Sequence, residues 1–427
     1  MHLPYSLPHG HQEVRPGGPS VRGQGRRPLG RLLADVIGGR RTRSARTTLV
    51  LLLALLLTIG TACGLRPVPG IIKIGLVAPL GGSDSASGLQ LLFAVRLALR
   101  EWNANGGIDG FRVDLTANDD RGAGAGGEQQ ARALAIDPGI VGVIGHVTAA
   151  SALAAAPHYE QSGLALITFA NVAGWSNGTP PSTTFRLAPP PAQWARALAD
   201  LASRQAKADS AIIVHEPGPD DEAFVGAVEE ALHSTGILTV RTIAVSATQS
   251  GYDQAAQAIA EQRPGAIILA TNFVTAGEIA AQLRPLTTAP LILAPQAGRP
   301  EILRIGGAAL EGAYTLSPAF GALQGEKSQQ FIEDYRQLAA AVPGDYSALA
   351  YDATNLLLTA ARSQLRREGH IDRAGVLREL ALGDPLEGLT GSLAFDQQRS
   401  RRNAMLYAYQ LSGFAYPGRL LDSEQSH

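Results

Sequence analysis

The sequence predicts a two-lobed α/β protein, each lobe a parallel sheet between two layers of helices. Three observations predict it. From Ile71 onward, short apolar runs alternate with segments of helical spacing, the pattern of right-handed βαβ units. The alternation halts at Pro189–Pro191 and then restarts, as a stiff crossover between two units would require. Two long amphipathic segments and a strand-rich tail follow. Late segments that return to earlier units make discontinuous lobes with a cleft between them.

In the first unit, "IKIGLVAPL" is a buried-strand run that ends in a turn. "GLQLLFAVRLALREWNANGG" has helical spacing and stops at Asn-Gly-Gly. "FRVDLTAND" reads as a strand, "EQQARALA" as a helix, "IVGVIGH" as a strand, "SALAAAPHYEQSG" as a helix and "LALITFA" as a strand. After the prolines, a helix over Trp194–Gln205 leads to strand "SAIIVHE". Helix Glu222–His233, strand "ILTVRTIAV", helix Asp253–Gln262, strand "GAIILA", helix Thr275–Leu283 and strand "APLILAP" complete the second unit. "SQQFIEDYRQLAAAV" and "YSALAYDATNLLLTAARSQL" are the late helices, and "GSLAFD" and "AMLYAYQL" the closing strands. The resulting lobes are Rossmann-like.

With 427 residues the chain is too long for one small core, and a formal net charge of −1 gives no reason to expect nucleic acid or an acidic partner. Its one cysteine leaves no internal disulfide and no cysteine-rich zinc site. Residues 1–47 form a basic, Gly- and Pro-broken leader expected to be disordered. Residues 48–62 form an apolar run shorter than the ~20 residues of a membrane span. Basic residues before it and small residues at its end (Gly60, Thr61, Ala62) match an export signal. The single cysteine, Cys63, follows directly.

Candidate chemistry is sparse. Gly122, Gly124 and Gly127 have the G-x-G-x-x-G spacing of a dinucleotide loop between a strand and a helix. Asp119 and Asp120 beside them would repel a pyrophosphate, and no acidic ribose ligand stands about 20 residues on. His146 ends a strand without a catalytic pattern around it, so a structural role is expected. His158, His215 and His233 lack metal spacing. Asp220, Asp221 and Glu222 fit the acidic first turn of a helix. "GHVTAAS" and "TFANVAG" place small and hydroxyl residues at helix N-termini, where unpaired N–H groups suit a carboxylate or another polar acceptor.

Taken together, "IKIGLVAPLGG", "NANGGIDGFRVDLTANDD", "VGVIGHVTAASALAAAPHYEQSGLALITFAN", "FRLAP", "AALEGAY" and "YSALAYDATNLLL" resemble the branched-chain amino-acid binding proteins of bacterial ABC importers, which have the type I periplasmic-binding fold. The likeness runs in order from Ile71 to about Ala415. It implies two lobes joined by three crossovers, near Ala188, Ser317 and Gly391. Lobe 1 would comprise residues 71–188 and 317–390, and lobe 2 residues 189–316 and 391–420. It also implies a monomer without cofactor or covalent chemistry that closes on a small-molecule ligand and is then recognised by a membrane permease. Cys63 resembles the lipid-attachment cysteine of bacterial lipoproteins, although Gly60 stands where Leu is usual. That implies an exported protein, anchored at the outer face of the cytoplasmic membrane or periplasmic.

Carrying the family's binding residues over exposes departures. Ala149 replaces the Ser that meets the ligand carboxylate, with Thr148 and Ser151 flanking it. Ala170 matches a position whose carbonyl accepts from the ligand ammonium; Asn171 follows, then Val172 in place of a Thr. Ser87, Asp220 and Asn272 stand at often-aromatic places, and Gln296 replaces the acid that pairs with the ammonium. Trp175 is a further candidate for an apolar wall. A buried ammonium needs a charge partner, so a small polar solute such as an amide or organic acid is expected in place of a leucine-type ligand. The alternatives are a ligand sensor acting through a partner, a non-binding relative and, last, a dinucleotide enzyme.

Overall fold

The computed structural model describes residues 70–82, 84–173, 175, 180–246, 251–413 and 415–421. The basic leader, the apolar run and Cys63 lie outside the described residues.

The first lobe opens with β1 (Ile71–Ala78), α1 (Ser85–Ala104), β2 (Arg112–Asp119), α2 (Gly124–Ile136), β3 (Ile140–Gly145), α3 (Ala149–Gln161), β4 (Ala165–Thr168) and β5 (Thr184–Arg186). Its sheet has the order β2-β1-β3-β4-β5 with every pair parallel. β3 is buried at all six positions, as expected of a strand covered on both faces. α1 is capped by Asn105, and Gly106 and Gly107 take the positive φ that the turn needs (91° and 69°).

The second lobe follows with α4 (Pro191–Asp200), β6 (Ser210–His215), α5 (Pro219–Ser234), β7 (Thr239–Ala244), α6 (Asp253–Glu261), β8 (Ala266–Ala270), α7 (Phe273–Leu283), β9 (Leu291–Leu293) and β10 (Tyr314–Ser317). α4 runs on into a single π-turn, Leu201–Gln205. Then come α8 (Gln329–Ala339), α9 (Asp345–Glu368), α10 (Arg373–Leu382), the hairpin β11 (Leu386–Gly388) and β12 (Gly391–Leu393), and finally β13 (Tyr407–Ser412) and β14 (Ala415–Leu420). The second sheet has the order β14-β13-β10-β9-β8-β6-β7, parallel except for the antiparallel β13 and β14 edge.

Core membership shows where the chain changes lobe. Leu187 packs in the first-lobe core and Trp194 in the second. Leu316 packs in the second and Ala319 in the first. The last change differs from the expectation near Gly391. Leu393 and Phe395 belong to the first-lobe core, and Phe395 packs on Phe185 with ring centroids 4.8 Å apart. The Arg401 amide donates to the Arg186 carbonyl at 2.9 Å. Residues 391–401 therefore stay with the first lobe, and Leu406 and Ala408 are the first to join the second-lobe core again. The reason is apolar burial against β5, which a reading of local pattern does not contain.

Candidate ligand-binding cleft

Ligands of open α/β sheets sit beyond the carboxyl ends of the strands. Here those ends face each other across the lobes. Thr148 and Ala149 follow β3, Phe169 and Asn171 follow β4, Glu216 follows β6, Thr271 and Asn272 follow β8, and Gln296 and Arg299 follow β9. All of them line one cavity of about 500 Å³, together with Asp84 at the start of α1, Trp194 of α4, Asp220 and Asp221 of α5, and Asp345 and Tyr346 of α9. That volume suits a small molecule.

Of the residues singled out from sequence, Thr148, Ala149, Asn171, Asp220, Asn272 and Gln296 line this cavity. Ser87, Ser151, Ala170 and Val172 do not. Ser87 is buried behind it, its Oγ 3.4 Å from Arg299 Nη1. Ala170 and Val172 pack with Trp175 in a small apolar cluster, and Trp175 lies under the Arg186 guanidinium at 4.9 Å.

Ser151 is corrected for a different reason: its hydroxyl is committed elsewhere. It donates to Asp120 Oδ2, and His146 Nδ1 lies 2.9 Å from Asp120 Oδ2 and 2.7 Å from Ser151 Oγ. His146 Nε2 meets the Tyr159 hydroxyl at 3.1 Å. All four side chains are fully buried. Burial works against the Asp120 charge, but hydrogen bonds from His146, Ser151 and the Gly122 amide outweigh it and hold the carboxyl below its usual range. A Ser-His-Asp relay would put serine and carboxylate on opposite ring nitrogens of an accessible imidazole. Here both meet Nδ1 and nothing is exposed, so the group is a polar core network.

The glycine loop has a packing explanation too. A Cβ on Gly126 would stand 2.1 Å from the Asp120 carbonyl oxygen, and one on Gly127 would stand 2.4 Å from Ser151 Oγ. These glycines let α2 lie against α3 and the Asp120 turn.

The cleft holds groups that sequence reasoning did not select. Arg299 is ion-paired with Asp84 across the lobes. Burial opposes its charge, but Tyr346 and Asp84 together keep the guanidinium firmly protonated. Asn272 caps α7, its Oδ1 accepting from Val274 and Thr275 amides at 2.9 and 3.1 Å, while its Nδ2 donates to Glu216. Burial pushes Asp221 up to about 6, with Asp220 and Glu216 adding to the shift. Burial also pushes Asp345 up to about 6, against hydrogen bonds from Ser317 Oγ (2.6 Å) and the Ala319 and Phe320 amides (2.9 and 3.0 Å).

Several buried polar atoms in this wall have no hydrogen-bond partner among the described residues: Trp194 Nε1, both amide atoms of Asn171, Gln296 Oε1 and Arg299 Nε. Buried polar groups are normally paired, so a cluster of such atoms around one cavity marks a place where another molecule supplies the partner.

Fold and cleft together define a solute-binding protein of the two-lobed type. The family model described as periplasmic binding protein matches residues 71–415, and the chain belongs to that family of solute-binding, non-enzymatic proteins. It has the type I periplasmic-binding fold. It is 23% identical over 329 residues to the Leu/Ile/Val-binding protein homolog 3 of Brucella melitensis, covering 76% of this chain and 87% of that one. It is 22% identical over 344 residues to the leucine-, isoleucine-, valine-, threonine-, and alanine-binding protein of Pseudomonas aeruginosa, covering 79% and 89%. Among solved structures, it resembles the branched-chain amino acid transporter substrate binding protein of Streptococcus pneumoniae in complex with isoleucine. That match has a TM-score of 0.71 and 21% identity, covering 82% of this chain and 99% of that one. It also resembles a solute binding protein of R. palustris in complex with benzoate, with a TM-score of 0.70 and 17% identity, covering 83% and 96%.

Proposed function

We propose that this chain is the solute-capturing component of an ABC importer, held outside the cytoplasmic membrane by lipid on Cys63. It takes a small polar solute into the interlobe cleft by hinge closure and presents the closed form to a membrane permease. The observation that carries this reading is the cavity of about 500 Å³ walled by both lobes, with buried partnerless polar atoms around it. Only the closed form meets a ligand from both sides, so ligand favours closure. The names of the relatives support amino acids or aromatic acids as the broad solute class.

A thermal-shift screen with amino acids, amides, aromatic acids and nucleotides tests it. A solute at a hundredfold excess over Kd stabilises the folded form by about 2.7 kcal/mol and raises the melting midpoint. A screen in which nucleotides alone raise it, or nothing does, overturns the reading. Cys63→Ser should release the protein from membranes; retention there overturns lipid anchoring.

A further inference from the structure

The charge of the cleft is lopsided. Asp84, Glu216, Asp220, Asp221 and Asp345 line it, and the one guanidinium in the wall among the described residues, Arg299, already pairs with Asp84. Asp345 has its own donors in Ser317, Ala319 and Phe320. Asp220 lies within electrostatic reach of the Arg186 guanidinium, buried behind the cleft. Glu216 and Asp221 are left with weaker company. Glu216 accepts from the neutral Asn272 amide. Asp221 faces Asp220, Glu216 and Glu222, with His215 the basic group acting on it. Closure of the lobes strips water from these carboxylates, and a desolvated anion without a countercharge is costly. A solute without a cationic group would leave that cost standing, and a zwitterion would offset it while adding a carboxylate of its own to an acidic wall. A solute of net positive charge removes it.

A second observation is independent of charge. Trp194 is 6% exposed and lines the same cavity, and its Nε1–H has no acceptor among the described residues. Gln296 Oε1, also in the wall, has no donor. A partner that meets both carries an acceptor and a hydrogen-bond donor. Phe169 and Tyr346 add aromatic surface, which favours cations over anions. Among the described residues no group of three or more His, Cys, Asp or Glu could hold a metal ion, which favours an organic cation.

We propose that the cleft selects a small organic cation, an amine or guanidine of net positive charge. Its charged group binds at Glu216 and Asp221, and an acceptor on it meets the Trp194 indole. This rests on the reading of the cleft as a solute site. The test is calorimetric titration of the full-length chain, at matched ionic strength, with arginine, lysine, leucine and benzoate. Arginine or lysine should bind at least tenfold more tightly than leucine or benzoate. Asp221→Asn and the double variant Glu216→Gln/Asp221→Asn should each weaken that cation at least tenfold without lowering the melting temperature. If leucine or benzoate binds more tightly than both cations, the charge selection is wrong while the solute-site reading stands. If none of the four binds, the cation proposal fails. If the folded variants keep full affinity for the cation, its assignment to Glu216 and Asp221 fails.

Discussion

Arg299, carried by the loop after β9 in the second lobe, is ion-paired with Asp84 at the foot of α1 in the first, with side chains only 12% and 26% exposed. The pair ties the lobes directly across the cleft. When it is broken, each charge can regain water if the lobes part, so the cost falls mainly on the open–closed balance and less on the folding of either lobe. Arg299→Ala should shift that balance toward the open form by about 1.5–3 kcal/mol, the range for a charged hydrogen bond. Small-angle scattering should then give a larger radius of gyration with a melting temperature close to that of the parent. A lowered melting temperature with unchanged scattering would show that the pair serves folding.

The buried Asp120 network ties stability to pH. Its carboxyl is held below the usual range in the folded chain. Its contribution is therefore present above the unfolded value of about 3.9 and lost as pH falls through the folded value. Asp120→Asn should cost about 1–3 kcal/mol in urea unfolding at pH 7. The gap from the parent should narrow steadily below about pH 4. A gap that stays constant down to pH 3 would remove ionised Asp120 from the account.

Asp221 behaves in the opposite sense. Its folded value is raised to about 6, chiefly by burial and then by Asp220 and Glu216. Such a group favours the folded state fully below its unfolded value, and that advantage is lost as pH rises through about 6. Replacing it should stabilise the ligand-free protein where the parent is ionised. Asp221→Asn is expected to gain roughly 1–2 kcal/mol at pH 7.5, after allowance for partial exposure. The gain should fade below about pH 4. Thermal melts across that range check it, and destabilisation at pH 7.5 would contradict the burial argument.

Two glycines should answer alanine in opposite ways. At Gly127 the added methyl meets Ser151 Oγ at 2.4 Å and the Ser151 carbonyl oxygen at 2.5 Å, so α2 must move off α3. A loss of about 1–3 kcal/mol is expected from overpacking. Gly226 is exposed within α5 and has nothing within 4 Å of the new methyl. Gly226→Ala should gain about 0.5–1 kcal/mol through helix propensity. Urea midpoints of the two variants settle both, and an unchanged midpoint for Gly127→Ala would reopen the loop as something other than a packing device.

The architecture was legible because periodicity is local. The apolar runs, the Asn-Gly-Gly stop and the proline break each announce themselves within a few residues. The last change of lobe was not, because Phe395 finds its partner in Phe185, two hundred residues upstream. β14 and α10 were also missed: Pro417 and Gly418 interrupt the one, and Arg373–Leu382 gives the other little amphipathic signal. In the cleft, the strand-end positions Thr148, Asn171, Asn272 and Gln296 followed from pattern and resemblance. Ser151 misled because sequence cannot show that its hydroxyl is already taken by Asp120 and His146. Arg299 and Trp194 were passed over as single polar or aromatic residues in loops or at helix starts. Their weight comes from where the fold delivers them.

The first-lobe core needs Phe331, Leu349, Leu357, Leu380 and Phe395 as well as β1 to β5. A ribosome must therefore translate nearly all of the chain before that half can complete its interior, and a fragment stopped at the proline bend would leave one side of its sheet covered by α1 alone. Assembly is pushed to the end of synthesis, a delay that suits a polypeptide whose workplace lies beyond a membrane.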